Sequence, residues 1–341
     1  MPVFRSAPAA FAAAIGCASA LVCAAVPAAA QEVTLKFSHF LGPQSFFERD
    51  VAQPWKQRVE EKSGGKVKVE VFNASSPLGG VTKQASQVME GAVDVALGLR
   101  GAEGDRFPGT SVIELPFLIK DSASGSKALW ALLKSGALEA EYKDYKVLAL
   151  FVHDPGLIHT TKTRVATLAD LKGMRLRVPN KTVAAALQHA GAVPVVLQVN
   201  EVMPAVVKGE LDGVVTNWAN PLPKFNDHMK NHTDLKFYTS AFFIVMNKAK
   251  YESLPAEARA TVDALSGDAW VAELGTLWNK WAEPVRKGAD APGHAVIVPD
   301  AAAMAAWREG LKPVTEKYLD ELAKTFPGAR EVYKKVVELT R

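Results

Sequence analysis

Two arginines lie two residues apart on a short stretch whose pattern predicts a β-strand, Met174 to Val178. Arg175 and Arg177 alternate with apolar residues, so they share one face of that strand. An arginine at the carboxyl end of a parallel strand points into the crevice where open α/β sheets bind ligands. Its planar guanidinium can hold a carboxylate through two hydrogen bonds. The pattern therefore predicts an anion clamp at Arg177 or, alternatively, two solvated arginines on an exposed strand.

Three other predicted strands end in polar or aromatic side chains: His39 with Phe40, His153 with Asp154, and Asn217 with Trp218. An asparagine offers both a donor and an acceptor, and an indole offers a flat apolar wall. Strand ends at the same edge of a sheet can form one pocket. The alternatives are that Trp218 is an ordinary core residue and that His153 is a buried histidine with a structural role.

Sequence signatures of catalysis are absent. The chain has no phosphate-binding loop, no dinucleotide glycine fingerprint, no Gly-x-Ser-x-Gly elbow and no His-Glu-x-x-His helix. His228 and His232 are four residues apart, near Asp227 and Asp234, which could present two imidazoles to a metal. The flanking residues are typical of a loop rather than a rigid face, so we expect neither a metal nor a cofactor.

Composition and charge exclude further classes. Hydrophobic residues make up 48% and charged residues 22%, which argues against disorder. Arg5 is the only charged residue among the first thirty, which leaves a net charge of +3 from residue 31 onward. This small excess is spread along the chain, so nucleic acid is not expected as a partner.

The first thirty residues have the pattern of an export signal. Arg5 precedes an uncharged alanine-rich stretch, and Ala28 to Ala30 match a small-x-small cleavage site. An uncleaved membrane anchor is the alternative. Both cysteines, Cys17 and Cys23, lie in this segment, so the mature chain is predicted to lack thiol chemistry and disulfides. We expect a soluble periplasmic protein that does not span the membrane after cleavage.

Strand and helix patterns alternate along the rest of the chain. Period-two alternation from Val33 and again from Lys66 predicts strands, and a four-residue repeat predicts a helix over 44–62, with Pro54 as its kink or true start. The same alternation resumes at Lys146. This order is typical of parallel sheets covered by helices.

Two stretches could connect halves of the fold. Residues 237–246 form a long apolar strand candidate, and residues 256–287 form a helical pattern with a stripe of tryptophans. That stripe favours core packing over a ligand site. Two α/β lobes joined by several crossings fit this arrangement better than two independent domains.

A series of short motifs resembles the DctP-type solute-binding receptor of tripartite ATP-independent periplasmic (TRAP) transporters. Each motif is common alone, but the whole series at these spacings is specific, and it covers nearly all of the mature chain. The motifs are Ser38–Leu41, Ser63–Val69, Leu78–Gly80, Glu90–Asp94, Glu114–Phe117, Asp170–Pro179, Leu211–Gly213, Val245–Lys248 and Leu254–Pro255.

The resemblance implies a two-lobed α/β periplasmic binding protein fold with the ligand cleft between the lobes and a long helix spanning both. The implied organisation is a signal peptide over 1–30, lobe I over 31–152 plus about 241–275, and lobe II over 153–240 plus about 276–341. The resemblance also implies handover of an organic acid to a separate membrane permease, driven by an ion gradient. Arg177 resembles the family residue that binds the ligand carboxylate.

One motif departs from the family pattern. Receptors close to the dicarboxylate and sialic-acid members usually follow Asp-Gly with Gln-Glu-Asn, whereas Val214 to Asn217 follow Gly213 here. Phe40, Trp218 and Phe242, together with His39 and His153, favour a less polar ligand. We expect an aromatic or otherwise apolar monocarboxylate ahead of a sugar acid or dicarboxylate, with Asn217 reading the remaining polar atoms.

Two other functions remain open from the sequence. One is a periplasmic enzyme on a similar two-lobed fold, with His39 or His153 as base. A base needs a partner within hydrogen-bond reach, and the sequence pairs neither histidine with one. The other is an accessory that presents a ligand to a membrane sensor rather than to a permease.

Overall fold

A computed structural model describes residues 32–197, 199–220 and 222–341. The predicted signal peptide and both cysteines lie outside these residues. Among the described residues, no helix combines the length and the apolar character needed to cross a bilayer.

The described residues form two sheets. The first has the order β2-β1-β3-β10-β4 and the second the order β11-β9-β5-β8-β6-β7. The strands are β1 (Val33–His39), β2 (Val67–Phe72), β3 (Val95–Leu99), β4 (Tyr145–Val152), β5 (Gly156–Thr160), β6 (Arg175–Val178), β7 (Val193–Val196), β8 (Gly213–Thr216), β9 (Asn231–Tyr238), β10 (Ala241–Asn247) and β11 (Ala295–Ile297).

The helices cover the faces of these sheets. They are α1 (Gln53–Lys62), α2 (Gln84–Met89), α3 (Ser122–Lys134), α4 (Glu139–Tyr142), α5 (Lys181–His189), α6 (Val199–Val207), α7 (Phe225–His228), α8 (Lys248–Ser253), α9 (Ala256–Ala264), α10 (Asp268–Gly288), α11 (Ala301–Ala323) and α12 (Ala329–Thr340). The α/β architecture predicted from the alternation of strand and helix patterns is confirmed.

Strand direction decides which residues meet. In the first sheet β1, β2 and β3 are parallel and β10 runs against β3 and β4, so His39 and the start of β10 lie at the same edge. In the second sheet β6 is parallel to β7 and β8, while β5 runs against β8 and β9. The carboxyl ends of β6, β8 and β9 and the start of β5 therefore share one edge.

Two short segments carry the chain between the sheets. Residues 153–155 connect β4 to β5, and residues 239–240 connect β9 to β10. The apolar stretch 237–246, predicted as one strand that could cross between lobes, is thus the end of one strand and most of the next. The polar pair Thr239 and Ser240 makes the crossing.

The tryptophan-rich helix touches both sheets. Near its start Trp270 stacks on Trp55, and near its end the Arg286 guanidinium lies 5.6 Å from the centre of the Trp218 ring. The prediction of one helical stretch over 256–287 is wrong at one point. Gly267 separates α9 from α10 with a φ of 78°, a conformation that glycine adopts without strain.

The first predicted helix also has an irregular start. Residues Glu48–Ala52 form one turn of π-helix, and α1 begins only at Gln53, with Pro54 in its first turn. The π-helical turn runs directly into α1, since the Gln53 amide donates to the carbonyl oxygen of Glu48. The predicted helix over 44–62 thus runs from Phe46, and Pro54 lies where its π-helical turn passes into α1.

Candidate ligand-binding site

The guanidinium of Arg177 is buried near the carboxyl end of β6, with the residue only 8% exposed. Its Nε and Nη2 lie 3.4 Å from the carbonyl oxygen of Leu197, and Nη1 lies 3.5 Å from that of Val215. These distances are at the long limit for hydrogen bonds. In the part of the chain that the structure describes, no ion pair involves Arg177.

Burial lowers the pKa of the Arg177 guanidinium, and nearby Tyr238 opposes that shift. The group still carries its charge at neutral pH, because arginine does not deprotonate in proteins. A desolvated cation without a carboxylate partner is costly. The arrangement is therefore suited to an anionic group supplied from outside the chain. Arg175, at the opposite end of β6, binds Asp212 instead, at 2.9 Å.

Tyr238 is a candidate site residue that the sequence patterns did not indicate. It ends β9 at the sheet edge where Arg177 lies, and its phenol and the guanidinium shift each other's pKa. Burial raises the pKa of Tyr238 strongly, so the hydroxyl keeps its proton and can donate a hydrogen bond. In the sequence, the only indication of its role is its position as the last aromatic residue before the polar pair Thr239 and Ser240.

Aromatic rings continue from Tyr238 into the first sheet. The Tyr238 ring lies 5.4 Å from His153, and His153 lies 6.1 Å from Phe242. Phe242 is parallel to Phe40, with 3° between the planes and 6.5 Å between centroids. Phe242 also stacks on Trp278, with 5.4 Å between centroids. We call these residues the aromatic strip: Phe40, His153, Tyr238, Phe242 and Trp278.

His39 precedes Phe40 of the strip in the chain and packs against Phe47. Leu41 N donates to Nδ1 of His39, so Nε2 carries the ring proton and donates to Oε2 of Glu48 at 2.6 Å. Burial lowers the pKa of His39, and the bond to Glu48 opposes that shift only in part. The fully buried imidazole thus fixes the turn that carries Phe40. In this structure His39 positions an aromatic residue.

His153 has partners for both ring nitrogens. Ser240 N donates to Nε2 at 3.0 Å, so Nδ1 carries the proton and lies 2.5 Å from the carbonyl oxygen of Asp154. Burial lowers the pKa of His153 to about 4, which keeps the ring neutral at physiological pH. The ring therefore offers the strip a neutral aromatic face.

Asn217 reaches the same region from β8. Its Nδ2 donates to Oδ1 of Asp154 at 2.5 Å, and Asp154 is buried. The Asn217 side chain is thus anchored at the point where the chain crosses from one sheet to the other. This crossing and the end of β8 are held together by side-chain bonding that sequence spacing did not predict.

The Trp218 ring occupies a different cluster from the strip. It lies 4.9 Å from His159 and 5.1 Å from His232, and Arg286 covers it. His232 Nδ1 lies 2.8 Å from Nδ1 of His159, and burial lowers the pKa of His232 to about 4. Of the predicted site residues, the structure thus brings His153, Phe40 and Phe242 together, with Arg177 linked to them through Tyr238.

Among the described side chains, no group of three or more His, Cys, Asp or Glu could hold a metal ion. His232, considered from its spacing with His228, bonds to two other histidines, His159 and His294. The geometry is therefore that of a buried guanidinium, without a carboxylate partner among the described residues, beside an aromatic strip. Two sheets covered by helices are joined by two crossings and a long helix. This architecture around such a site is that of a solute-binding receptor.

Comparison with known proteins identifies the family. Residues 37–321 match the model of bacterial extracellular solute-binding proteins, family 7 (DctP), and the chain belongs to this family. The prediction of a TRAP-type receptor is confirmed.

Two similar solved structures are TRAP solute-binding proteins. One, from Rhodoferax ferrireducens, contains copurified benzoate and is 30% identical, with a TM-score of 0.82 over 90% of this chain and 97% of the other. The second, from a marine metagenome, is specific for aromatic acids and was crystallised with 3-hydroxybenzoate. It is 32% identical, with a TM-score of 0.81 over 91% of this chain and 98% of the other.

A curated relative has a different ligand class. The C4-dicarboxylate-binding periplasmic protein DctP of Rhodobacter capsulatus is 25% identical over 315 residues, which is 90% of this chain and 93% of the relative.

Proposed function

We propose that this protein is a periplasmic receptor for aromatic monocarboxylates, which it delivers unchanged to a TRAP permease. The observation that carries the proposal is Arg177, a buried guanidinium without a carboxylate partner among the described residues, next to the aromatic strip. Arg177 would bind the ligand carboxylate through two hydrogen bonds. The Tyr238 hydroxyl would donate to the same group.

The surroundings of Arg177 favour a ligand with one charge. Arg100, which directly follows β3, is already paired with the buried Glu114, and Arg175 lies at the opposite end of β6 with its own partner Asp212. A second ligand carboxylate would therefore compete with an existing partner. The strip instead offers ring faces, which pack well against an aromatic body. The receptors from Rhodoferax ferrireducens and the marine metagenome were crystallised with ligands of this kind, benzoate and 3-hydroxybenzoate.

Capture by closure follows from the position of the site. Arg177 and Tyr238 come from the second sheet, while Phe40 and Phe242 come from the first. A ligand bound to both groups of residues holds the sheets together, as in other hinged receptors. Exclusion of water then strengthens the ion pair with Arg177.

A ligand panel tests the proposal. The mature chain is titrated with benzoate, 3-hydroxybenzoate, succinate and glucuronate, and the midpoint of thermal unfolding is followed, because a ligand that binds only the folded state raises it. We expect the aromatic acids to raise the midpoint most, and mass spectrometry to recover them unchanged. A larger shift with succinate would refute the ligand class, and conversion of the ligand would refute the receptor role.

A further inference from the structure

We propose that Asp154 is a positioning residue that ties the segment Asn217–Ala219 to the crossing between β4 and β5 and thereby supports ligand binding. The inference rests on the proposed function. Oδ1 of Asp154 accepts a hydrogen bond from Asn217 Nδ2 at 2.5 Å. Oδ2 accepts from Trp218 N at 2.9 Å and from Ala219 N at 3.3 Å. One buried carboxylate thus receives three donors from three consecutive residues.

Asp154 lies within the crossing from β4 to β5, and this crossing is bonded to the other one. Thr239 Oγ1 donates to the carbonyl oxygen of His153 at 2.9 Å, and Ser240 N donates to the His153 ring at 3.0 Å. The two crossings and the segment Asn217–Ala219 therefore form one hydrogen-bonded unit. Any movement of one sheet relative to the other acts on these bonds.

The tied segment connects the two halves of the proposed site. It begins at the end of β8, the strand that neighbours Arg177 on β6. It continues to Ala219, which is buried in the apolar cluster that contains Phe242 and Trp278. The bonds from Asp154 therefore fix the positions of the anion clamp and the aromatic strip relative to each other.

Only the ionised carboxylate offers both of its oxygens fully as acceptors for the three bonds. A protonated carboxyl has one oxygen that donates and has lost part of its capacity to accept. Burial raises the pKa of Asp154 to about 7, with the three donors acting in the opposite direction. The titratable groups that face it are His153, whose ring is neutral, and Tyr238, whose phenol keeps its proton.

Benzoate affinity of the full mature chain is the test, measured by calorimetry at pH 8 and pH 6, where benzoate stays ionised. For the wild type, we expect the Kd to rise about fivefold or more at pH 6, because protonation of Asp154 releases the segment. For Asp154→Asn, we expect a Kd about tenfold above the wild-type value at pH 8, and little further change at pH 6.

Asp212→Asn is the matched control, since Asp212 pairs with Arg175 at the partly exposed opposite end of β6. It should keep the wild-type Kd and pH profile. A wild-type Kd that is equal at both pH values would overturn the inference without any variant, as would wild-type binding by Asp154→Asn. If the wild type binds no aromatic acid at pH 8, the proposed function itself fails.

Discussion

The ring of Tyr238 occupies the space where residue 156 would carry a side chain. A Cβ on Gly156 would lie 2.0 Å from Cε1 of Tyr238. The two residues are paired across β5 and β9, so neither backbone can move away alone. Glycine at the start of β5 is therefore the condition for placing the Tyr238 ring against His153 and its phenol near Arg177.

Gly156→Ala should displace that ring. We expect the free energy of unfolding to fall by about 1–3 kcal/mol, as for other overpacked sites. Benzoate affinity should fall as well, because Tyr238 is proposed to share the carboxylate. Gly101→Ala is the control, since the nearest atom to its added Cβ would be 3.8 Å away. Urea unfolding and calorimetry measure both effects, and equal behaviour of the two variants would contradict the role of Tyr238.

Arg177→Met should weaken ligand binding without lowering the free energy of unfolding. Loss of the ion pair and its two hydrogen bonds should weaken benzoate binding about 100-fold or more. The free protein should be as stable as the wild type or more so, because replacing a buried unpaired cation by an apolar side chain of similar size removes a desolvation cost.

The neighbouring arginine provides the control for that variant. Arg175→Met breaks the partly exposed pair with Asp212 and should leave the benzoate Kd unchanged. Calorimetry measures the benzoate Kd of both variants, and thermal unfolding measures their stability. If Arg175→Met lowered affinity as much as Arg177→Met, the clamp would be assigned to the wrong residue.

Phe242→Leu should reduce discrimination between aromatic and aliphatic acids. The variant keeps an apolar side chain but loses the ring faces toward Phe40 and Trp278. We expect the benzoate Kd to rise about three- to tenfold, in line with the energy of aromatic pairs. Phe243→Leu, on the opposite face of β10, controls for loss of core packing. A benzoate Kd that rises equally in both variants would show that the strip does not bind the ligand ring.

The lowered pKa of His153 predicts that its contribution to the free energy of unfolding depends on pH. Its pKa is about 4 in the folded chain, against an ordinary value of 6.5 when the chain is unfolded. The unfolded chain thus binds more protons between these two pH values. The contribution of neutral His153 to the free energy of unfolding is full above pH 6.5 and is lost as the pH falls toward 4. The stability advantage of wild type over His153→Asn should shrink by about 3 kcal/mol from pH 7.5 to pH 4. Denaturant unfolding of both proteins measures this difference, with the exposed His189→Asn as control. A difference that stays constant with pH would contradict the lowered pKa of His153.

Local patterns in the sequence predicted most strands and their end residues. Alternation located β1, β2 and β6, and the position of Arg177 near the end of β6, two residues before Pro179, indicated its place at the sheet edge. The failures occurred where one or two residues interrupt a longer pattern. Gly267 divides the tryptophan-rich helix, and Thr239 with Ser240 divides the long apolar strand, although apolar residues lie on both sides of each break.

The sequence by itself determined the α/β class, the family and the presence of an arginine at a strand end, because each depends on residues close together in the chain. The tertiary structure alone decided which side chains meet. Asp154 accepts from residues more than sixty positions away, Tyr238 lies on Gly156, and Trp218 joins His159 and His232 rather than the aromatic strip. Strand order and direction set these contacts, and neither can be read from local periodicity.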